Sequence, residues 1–272
     1  MASIVAFARS RPFAGIAAIL GAVAVLAFGV AVVLGENQPS TVWGEGLGIA
    51  AVLVLVGIMA YSVRRSMPAN RRLGRTQQYL EVHLWGGLLF GLLLLLHTDF
   101  RVPRSGFGMV LWTASVWVVV TGTLGWFLQW LIPKILTPAS TFEVNLRRIP
   151  ELIAELRTRA EAVAREAEPR VRSFYEQQFA PAMAGPLMST TTMFGRPRGT
   201  RGDGAVELLR RTLAPESAAA LDTLCEIRST KHDIDLHFTL QRVLRVWMVL
   251  HVPMAVALLG LVLLHIFFIA YF

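Results

Sequence analysis

Cysteine is nearly absent from this sequence, in which Cys225 is the only one among 272 residues. A single thiol excludes an internal disulfide, and the lack of a Cys-x-x-Cys-His sequence excludes covalent attachment of a c-type haem. An iron–sulfur cluster held by several thiolates of this chain is excluded for the same reason. We therefore expect Cys225 to be an unreactive thiol on a helix.

Charged residues are also scarce, at 16% of the sequence, whereas 54% of the residues are hydrophobic and the mean hydropathy is +0.54. This composition is far more apolar than that of an ordinary soluble domain. Stretches long enough to cross about 30 Å of hydrocarbon predict an all-α integral membrane bundle of five transmembrane helices, surrounded by lipid. The predicted spans are residues 13–35, 46–63, 79–97, 107–132 and 245–271.

The net charge of +8 would suggest nucleic-acid binding in a soluble protein, but here the basic residues flank the apolar stretches. Cytoplasmic loops of membrane proteins concentrate Lys and Arg, so the charge indicates topology and we expect no nucleic-acid partner. The loop between the second and third spans is the most basic. It predicts a bacterial-type inner membrane protein with a cytoplasmic N-terminus and a periplasmic C-terminus. The arginines of this loop are Arg64, Arg65, Arg71, Arg72 and Arg75.

A polar segment of residues 133–244 separates the last two spans and is expected on the cytoplasmic side. Its apolar periodicity predicts a mainly helical insert, and its Gly-, Pro-, Ser- and Thr-rich part predicts a flexible loop near 180–204. We therefore predict four membrane helices in residues 1–132 and a cytoplasmic helical hairpin insert in 133–244. The second arm of that hairpin is expected to continue into a fifth membrane helix in 245–272.

Two of the apolar stretches carry a pair of histidines at the same interval. His83 and His97 bound HLWGGLLFGLLLLLH, and His251 and His265 bound HVPMAVALLGLVLLH, each pair fourteen residues apart. On an α-helix, fourteen residues return a side chain to within about 40° of its starting direction and displace it by about 21 Å. Each of these helices should therefore present one imidazole near each membrane surface, on a single face.

Ionisable side chains inside hydrocarbon are costly and point to a functional site. Imidazole is a strong axial ligand for haem iron, and two facing helices with two histidines each would hold two haems. Because the third and fifth spans run in the same direction, His83 should pair with His251 and His97 with His265. The alternative is that each histidine hydrogen-bonds to a neighbouring helix or lines a proton path.

These paired H-x13-H helices resemble the di-haem four-helix core of membrane b-type cytochromes. That group includes the cytochrome b of quinol:cytochrome c reductases and the membrane domain of ferric reductases and NADPH oxidases. The likeness covers the helices that carry the histidines and the helix between them, and it is specific for bis-histidine haem b without indicating a subfamily. It implies a di-haem four-helix core and two haem b groups whose axial ligands are His83, His97, His251 and His265.

The expected function is that of an electron-transfer subunit between a quinone pool and a redox partner. The sequence contains no Pro-Glu-Trp-Tyr quinol motif and no G-x-G-x-x-G nucleotide-binding turn. Other redox subunits, of iron–sulfur or cytochrome c type, are therefore the expected partners, and a quinone is a possible second cofactor. The alternatives are a reductase that passes electrons to external ferric iron or another acceptor, a haem-free proton-conducting protein, and a structural anchor.

Further candidate residues surround the predicted ligands. Small residues one and two turns after His83 would give a porphyrin clearance, or else pack against a neighbouring helix. Arginines near each end of the bundle would pair with haem propionates, or else lie on a solvated surface. His237 lies fourteen residues before His251 and could share a metal with Asp233, or lie on a solvated helix face. The small residues are Gly87 and Gly91, and the arginines are Arg101, Arg104, Arg242 and Arg245.

Overall fold

The computed structural model describes residues 12–67, 74–135, 148–188 and 203–271. Within these ranges every regular element is helical and no strand occurs. The chain divides into two compact units, one made of Met1–Phe127 and Trp247–Phe272 and the other of Leu128–Val246. Each unit is described by itself below.

Among the residues that the structure describes, five helices are long and apolar enough to cross a membrane. They confirm the prediction of an all-helical, multi-pass membrane protein. The first four begin and end within a few residues of the predicted spans, and the last is much longer because the charged residues before it continue the same helix. The five helices are α1 (Pro12–Leu34), α2 (Val42–Ser66), α3 (Thr76–His97), α4 (Gly106–Ile135) and α8 (Pro215–Tyr271).

The core of the first unit lies where α2, α3, α4 and the last part of α8 meet. Leu55, Leu93 and Leu258 are almost completely buried there. The opposite faces of the helices are apolar as well, and Val33 on α1 is 86% exposed. A large apolar surface around a helical core is what a protein surrounded by lipid requires, because lipid cannot hydrogen-bond to polar groups.

The helix ends of the first unit are held by polar contacts. The Thr41 hydroxyl accepts a hydrogen bond from the Gly44 N–H and so caps α2. At the other end of α2, the buried Arg64 guanidinium donates to the Met67 carbonyl at 2.8 Å and to the Gly74 carbonyl at 3.1 and 3.2 Å. One side chain thereby holds both ends of the connection between α2 and α3.

The second unit packs short helices against the first part of α8. Phe179, Leu221 and Leu224 form its almost fully buried core, which also contains Cys225. The short helices are α5 (Ile149–Glu166), α6 (Pro169–Phe174), a π-helical turn (Tyr175–Phe179), a 3-10 turn (Ala180–Met183) and α7 (Gly204–Arg211).

The flexible loop predicted near 180–204 falls mostly on residues 189–202, which lie outside the described residues. At its start the chain forms the 3-10 turn, and at its end the Asp203 carboxylate accepts the Ala205 N–H and caps α7. From Pro215 the helix runs without interruption past Pro253 to Tyr271. That the membrane-spanning part of α8 is residues 245–271 stays a prediction, based on the charges in the first part of the helix.

Candidate functional site

His83 on α3 and His251 on α8 face each other inside the first unit. Their ring centres lie 6.4 Å apart and their ring planes are nearly perpendicular, at 84°. His251 is buried and His83 is partly buried. The structure therefore brings together the first of the two histidine pairs predicted from the sequence.

One ring nitrogen of each of these histidines is already engaged. The His83 Nδ1 lies 3.1 Å from the Ile58 carbonyl oxygen, and the His251 Nδ1 lies 2.9 Å from the Thr121 hydroxyl. A carbonyl only accepts, so His83 donates its Nδ1–H. The hydrogen bonds found for these two rings among the described residues both involve Nδ1. The Nε2 atoms are therefore the ring atoms that could bind a metal.

A narrow apolar cavity adjoins this pair. It is small, with a cavity volume of about 60 Å³. His83 and His251 both line it, and so do Trp85 and Trp126, whose ring centres lie 6.4 Å apart with planes tilted by 53°. An apolar cavity with two convergent imidazoles is the kind of place in which a flat, mostly apolar cofactor binds.

The His251 ring is held from two directions. Trp247, one helical turn earlier on α8, stacks on it with ring centres 5.5 Å apart and planes 15° from parallel. The Trp247 Nε1–H donates to the Thr121 carbonyl at 2.7 Å. A Cβ atom on Gly125 would overlap the Trp247 ring, and one on Gly122 would lie 3.3 Å from the His251 Cε1. Any larger residue at position 125 would force the Trp247 ring to move.

The second predicted pair, His97 and His265, lies on the same two helices at the other end of the H-x13-H intervals. The His97 Nδ1 lies 2.8 Å from the Gly44 carbonyl, and its Nε2 has no hydrogen-bond partner among the described residues. His265 stacks on Phe107, with ring centres 6.1 Å apart and planes 29° from parallel. This pair could hold a second metal ion.

The two glycines predicted to give clearance have different surroundings. A Cβ on Gly87 would meet nothing within 4 Å, and this residue lines the cavity. A Cβ on Gly91 would lie 2.9 Å from the Val119 side chain on α4, so Gly91 is a point of close helix contact. A role of either glycine beside a porphyrin stays a prediction.

The sequence analysis missed glycines and a threonine that contact the histidines. A Cβ on Gly48 would lie 2.9 Å from the His97 Cε1, and Thr121 and Gly122 contact His251 as described. Two patterns could have indicated them: the glycines of GEGLG at the start of α2, and the small residues of TGTLG in the middle of α4. Small and polar residues within an apolar helix commonly mark its contacts with another helix.

The predicted propionate partners are exposed arginines. Arg101 pairs with Asp99 at 3.1 Å, while Arg104 is exposed in the same connection. Arg242 and Arg245 belong to the second unit and are exposed, with the Arg242 guanidinium 5.8 Å from the centre of the Phe238 ring. Their pairing with propionates therefore stays a prediction.

The second unit contains a buried ion pair instead of a histidine site. The Lys231 ammonium donates to both oxygens of the Asp235 carboxylate, at 2.6 and 2.7 Å, and both side chains are almost fully buried. Burial lowers the pKa of Lys231, and the hydrogen bonds to Asp235 oppose that effect. His237 lies nearby in sequence, and its Nε2 is buried without a hydrogen-bond partner among the described residues.

No group of three or more His, Cys, Asp or Glu side chains that could hold a metal occurs among the described residues, so the shared metal at Asp233 and His237 stays a prediction. Bis-histidine ligation of a haem needs only two protein ligands per iron and would not form such a group. No protein-family model, no curated protein and no solved structure matches this chain.

Proposed function

We propose that this chain is a di-haem b-type cytochrome subunit, which carries electrons across the membrane between a quinone pool and a redox partner. The observation that supports the proposal is the opposition of His83 and His251 at 6.4 Å across an apolar cavity. His97 and His265 supply the second pair on the same helices. The proposal makes these four side chains the axial ligands of two haem b groups.

The spacing of the first pair suits an axial pair on one iron. Imidazole–metal bonds in proteins are about 2.0–2.1 Å long, and each ring centre lies about 1.1 Å beyond its ligating nitrogen, so two axial rings are centred roughly 6 Å apart. The observed 6.4 Å agrees with this estimate. Perpendicular ring planes are compatible with it, because the metal–nitrogen axis can lie in both planes.

The hydrogen bonds of the histidines support the same assignment. A histidine that binds a metal normally donates its other ring N–H to a carbonyl, carboxylate or similar acceptor, which fixes its tautomer and orientation. His83 and His97 donate to backbone carbonyls, and His251 is bonded to the Thr121 hydroxyl. Three of the four rings therefore present a neutral imidazole with a free Nε2, the form required of an axial ligand.

Haem, when bound, supplies a reversible one-electron couple between ferrous and ferric iron. The chain's part is to hold two such groups about 21 Å apart along the helices, one towards each membrane surface. If these four histidines held the two haems, neither haem would have a coordination site left for oxygen or a substrate. The protein residues thus favour electron transfer over chemistry at the metal.

Electron entry and exit would depend on partners. The sequence lacks the motifs of a self-contained reductase, and the Leu128–Val246 unit offers a helical surface on which an iron–sulfur or cytochrome c type subunit could dock. In the proposed topology this unit is cytoplasmic. Its exposed arginines, Arg242 and Arg245, suit either an acidic partner surface or haem propionates.

A liposome experiment tests the proposed electron transfer across the membrane, whichever direction it takes in the cell. The purified haem-loaded protein is reconstituted with ferricyanide trapped inside, and a reduced quinone analogue is added outside. We expect ferricyanide reduction that depends on the protein and is lost in His251→Leu, which removes one ligand. Protein-dependent reduction of a small external ferric complex by a donor trapped inside, without any reaction with quinol, would favour the reductase alternative. Haem-free protein that conducts protons would contradict the proposal.

A further inference from the structure

We propose that Thr121 and Trp247 are positioning residues that set the tautomer and the plane of the His251 ring and thereby the redox potential of one haem but not the other. This inference rests on the proposed function, because it concerns an axial ligand of the first haem. It is carried by contacts around His251 that His265, the corresponding ligand of the second pair, lacks among the described residues.

The tautomer follows from a chain of hydrogen bonds. The Thr121 hydroxyl donates its hydrogen to the Trp117 carbonyl at 2.7 Å, which leaves its oxygen lone pairs as acceptors. With the hydroxyl hydrogen directed at the Trp117 or Val118 carbonyl, the His251 Nδ1, 2.9 Å from the Thr121 oxygen, acts as the donor. The remaining nitrogen, Nε2, then carries the lone pair. Thr121 thus keeps His251 in the one neutral form that can bind iron through Nε2.

The ring plane follows from Trp247 and the glycines opposite. Trp247 stacks on His251 at 15° and is itself fixed by its 2.7 Å hydrogen bond to the Thr121 carbonyl. The Trp247 ring fits there because Gly125 has no side chain, and Gly122 packs against the Cε1 edge of the His251 ring. A single turn of α4 therefore holds both the imidazole and the indole that covers it.

These contacts should affect the iron because an axial imidazole that donates a hydrogen bond from Nδ1 is more basic at Nε2. A more basic ligand stabilises ferric over ferrous iron and lowers the potential, and such hydrogen bonding is one of the established means by which proteins set haem potentials. Loss of the Thr121 acceptor should therefore raise the potential of the haem held by His83 and His251. The haem held by His97 and His265 should keep its potential.

The test compares Thr121→Val, which keeps the shape but removes the acceptor, with Thr121→Ser, which restores the hydroxyl. Ser115→Ala is the matched control, because the Ser115 hydroxyl also donates to the carbonyl four residues earlier on α4 but contacts no histidine. Haem content, redox titration and the low-temperature electron paramagnetic resonance spectrum are measured on each full-length protein. The spectrum reports the relative orientation of the two axial ring planes.

We expect Thr121→Val to keep two haems and to raise the midpoint potential of one of them. A three- to tenfold change in the ferric-to-ferrous ratio corresponds to a rise of about 30–60 mV, at 59 mV per tenfold for one electron. Thr121→Ser should restore the wild-type potential, and Ser115→Ala should leave both unchanged. Two haems with unshifted potentials in Thr121→Val would overturn this inference alone. Wild-type protein without haem would overturn the proposed function instead.

Trp247→Phe keeps the inference testable if Thr121→Val does not accumulate. The smaller ring can still stack on His251 but cannot donate to the Thr121 carbonyl. We expect both haems to be retained and the resonance signal of one of them to move, because its axial ring is less firmly oriented. An unchanged signal would show that Trp247 does not position His251.

Discussion

A single methyl group added at Gly48 should displace His97 and weaken one haem site. In Gly48→Ala the new Cβ would lie 2.9 Å from the His97 Cε1 and 3.0 Å from its Nδ1. Carbon atoms pack best at about 3.5–4.0 Å, so the ring must move by about 0.5–1 Å. That movement pulls the Nδ1 away from the Gly44 carbonyl, to which it is now hydrogen-bonded at 2.8 Å.

The size of the effect follows from three contributions. Overpacking costs about 1–3 kcal/mol, and the lost hydrogen bond costs about 1 kcal/mol. Alanine in place of a helical glycine stabilises the helix by roughly 1 kcal/mol. The net loss is about 1–3 kcal/mol, which corresponds to roughly tenfold to hundredfold weaker haem retention at the His97 site.

Gly46→Ala is the matched control, since it lies two residues away on the same helix and its added Cβ would meet nothing within 4 Å. Both variants are purified in detergent, and thermal unfolding and haem per chain are measured. We expect Gly46→Ala to keep two haems and to be as stable as the wild type or slightly more stable. If Gly48→Ala matched Gly46→Ala in both measurements, the contact between Gly48 and His97 would be refuted.

Three further predictions concern the rest of the molecule. Lys231→Met should destabilise the protein by about 3–5 kcal/mol because it leaves a buried carboxylate unpaired, and adding Asp235→Leu should restore most of the loss in detergent unfolding. Arg64→Ala should lower the unfolding temperature, because it removes three charge-assisted hydrogen bonds that contribute up to about 1.5–3 kcal/mol each. Replacement of an exposed arginine should leave the unfolding temperature unchanged. Burial lowers the pKa of His232, so below the ordinary value of about 6.5 the unfolded state binds more protons than the folded state. The free energy of unfolding should therefore fall as the pH drops through that value. Unfolding measured at pH 5 to 8 should show a less steep fall in His232→Gln.

The helices could be predicted from the sequence because lipid imposes a length and an apolar composition on every span. The continuation of the helical insert into the last span was predicted as well, and a single helix runs from Pro215 to Tyr271. The charged first part of α8 gives no hydropathy signal, and its continuity depends on packing of Leu221 and Leu224 against α5, α6 and α7. In the sequence, the continuation was indicated only by the change from a Pro- and Gly-rich composition to a helical one from about Pro215.

The facing of His83 and His251 could be predicted because a fourteen-residue interval returns to the same helix face and the third and fifth spans were expected to run in the same direction. The residues that orient them could not, because their role depends on α2 and α4, which carry no histidine. Thr121 contacts His251 across 130 positions of sequence, and Gly48 contacts His97 across the packing of α2 and α3. Such contacts follow from the register between helices, which periodicity within one helix does not determine.

The central claim is that His83 pairs with His251 and His97 with His265, each pair on one haem b. The most direct test is a reduced-minus-oxidised spectrum with haem quantification on purified double variants to leucine. We predict two b-type haems per wild-type chain, one haem when His83 and His251 are both replaced, and none when His83 and His265 are both replaced. A folded wild-type protein without haem, or one haem remaining in the second double variant, would contradict the account.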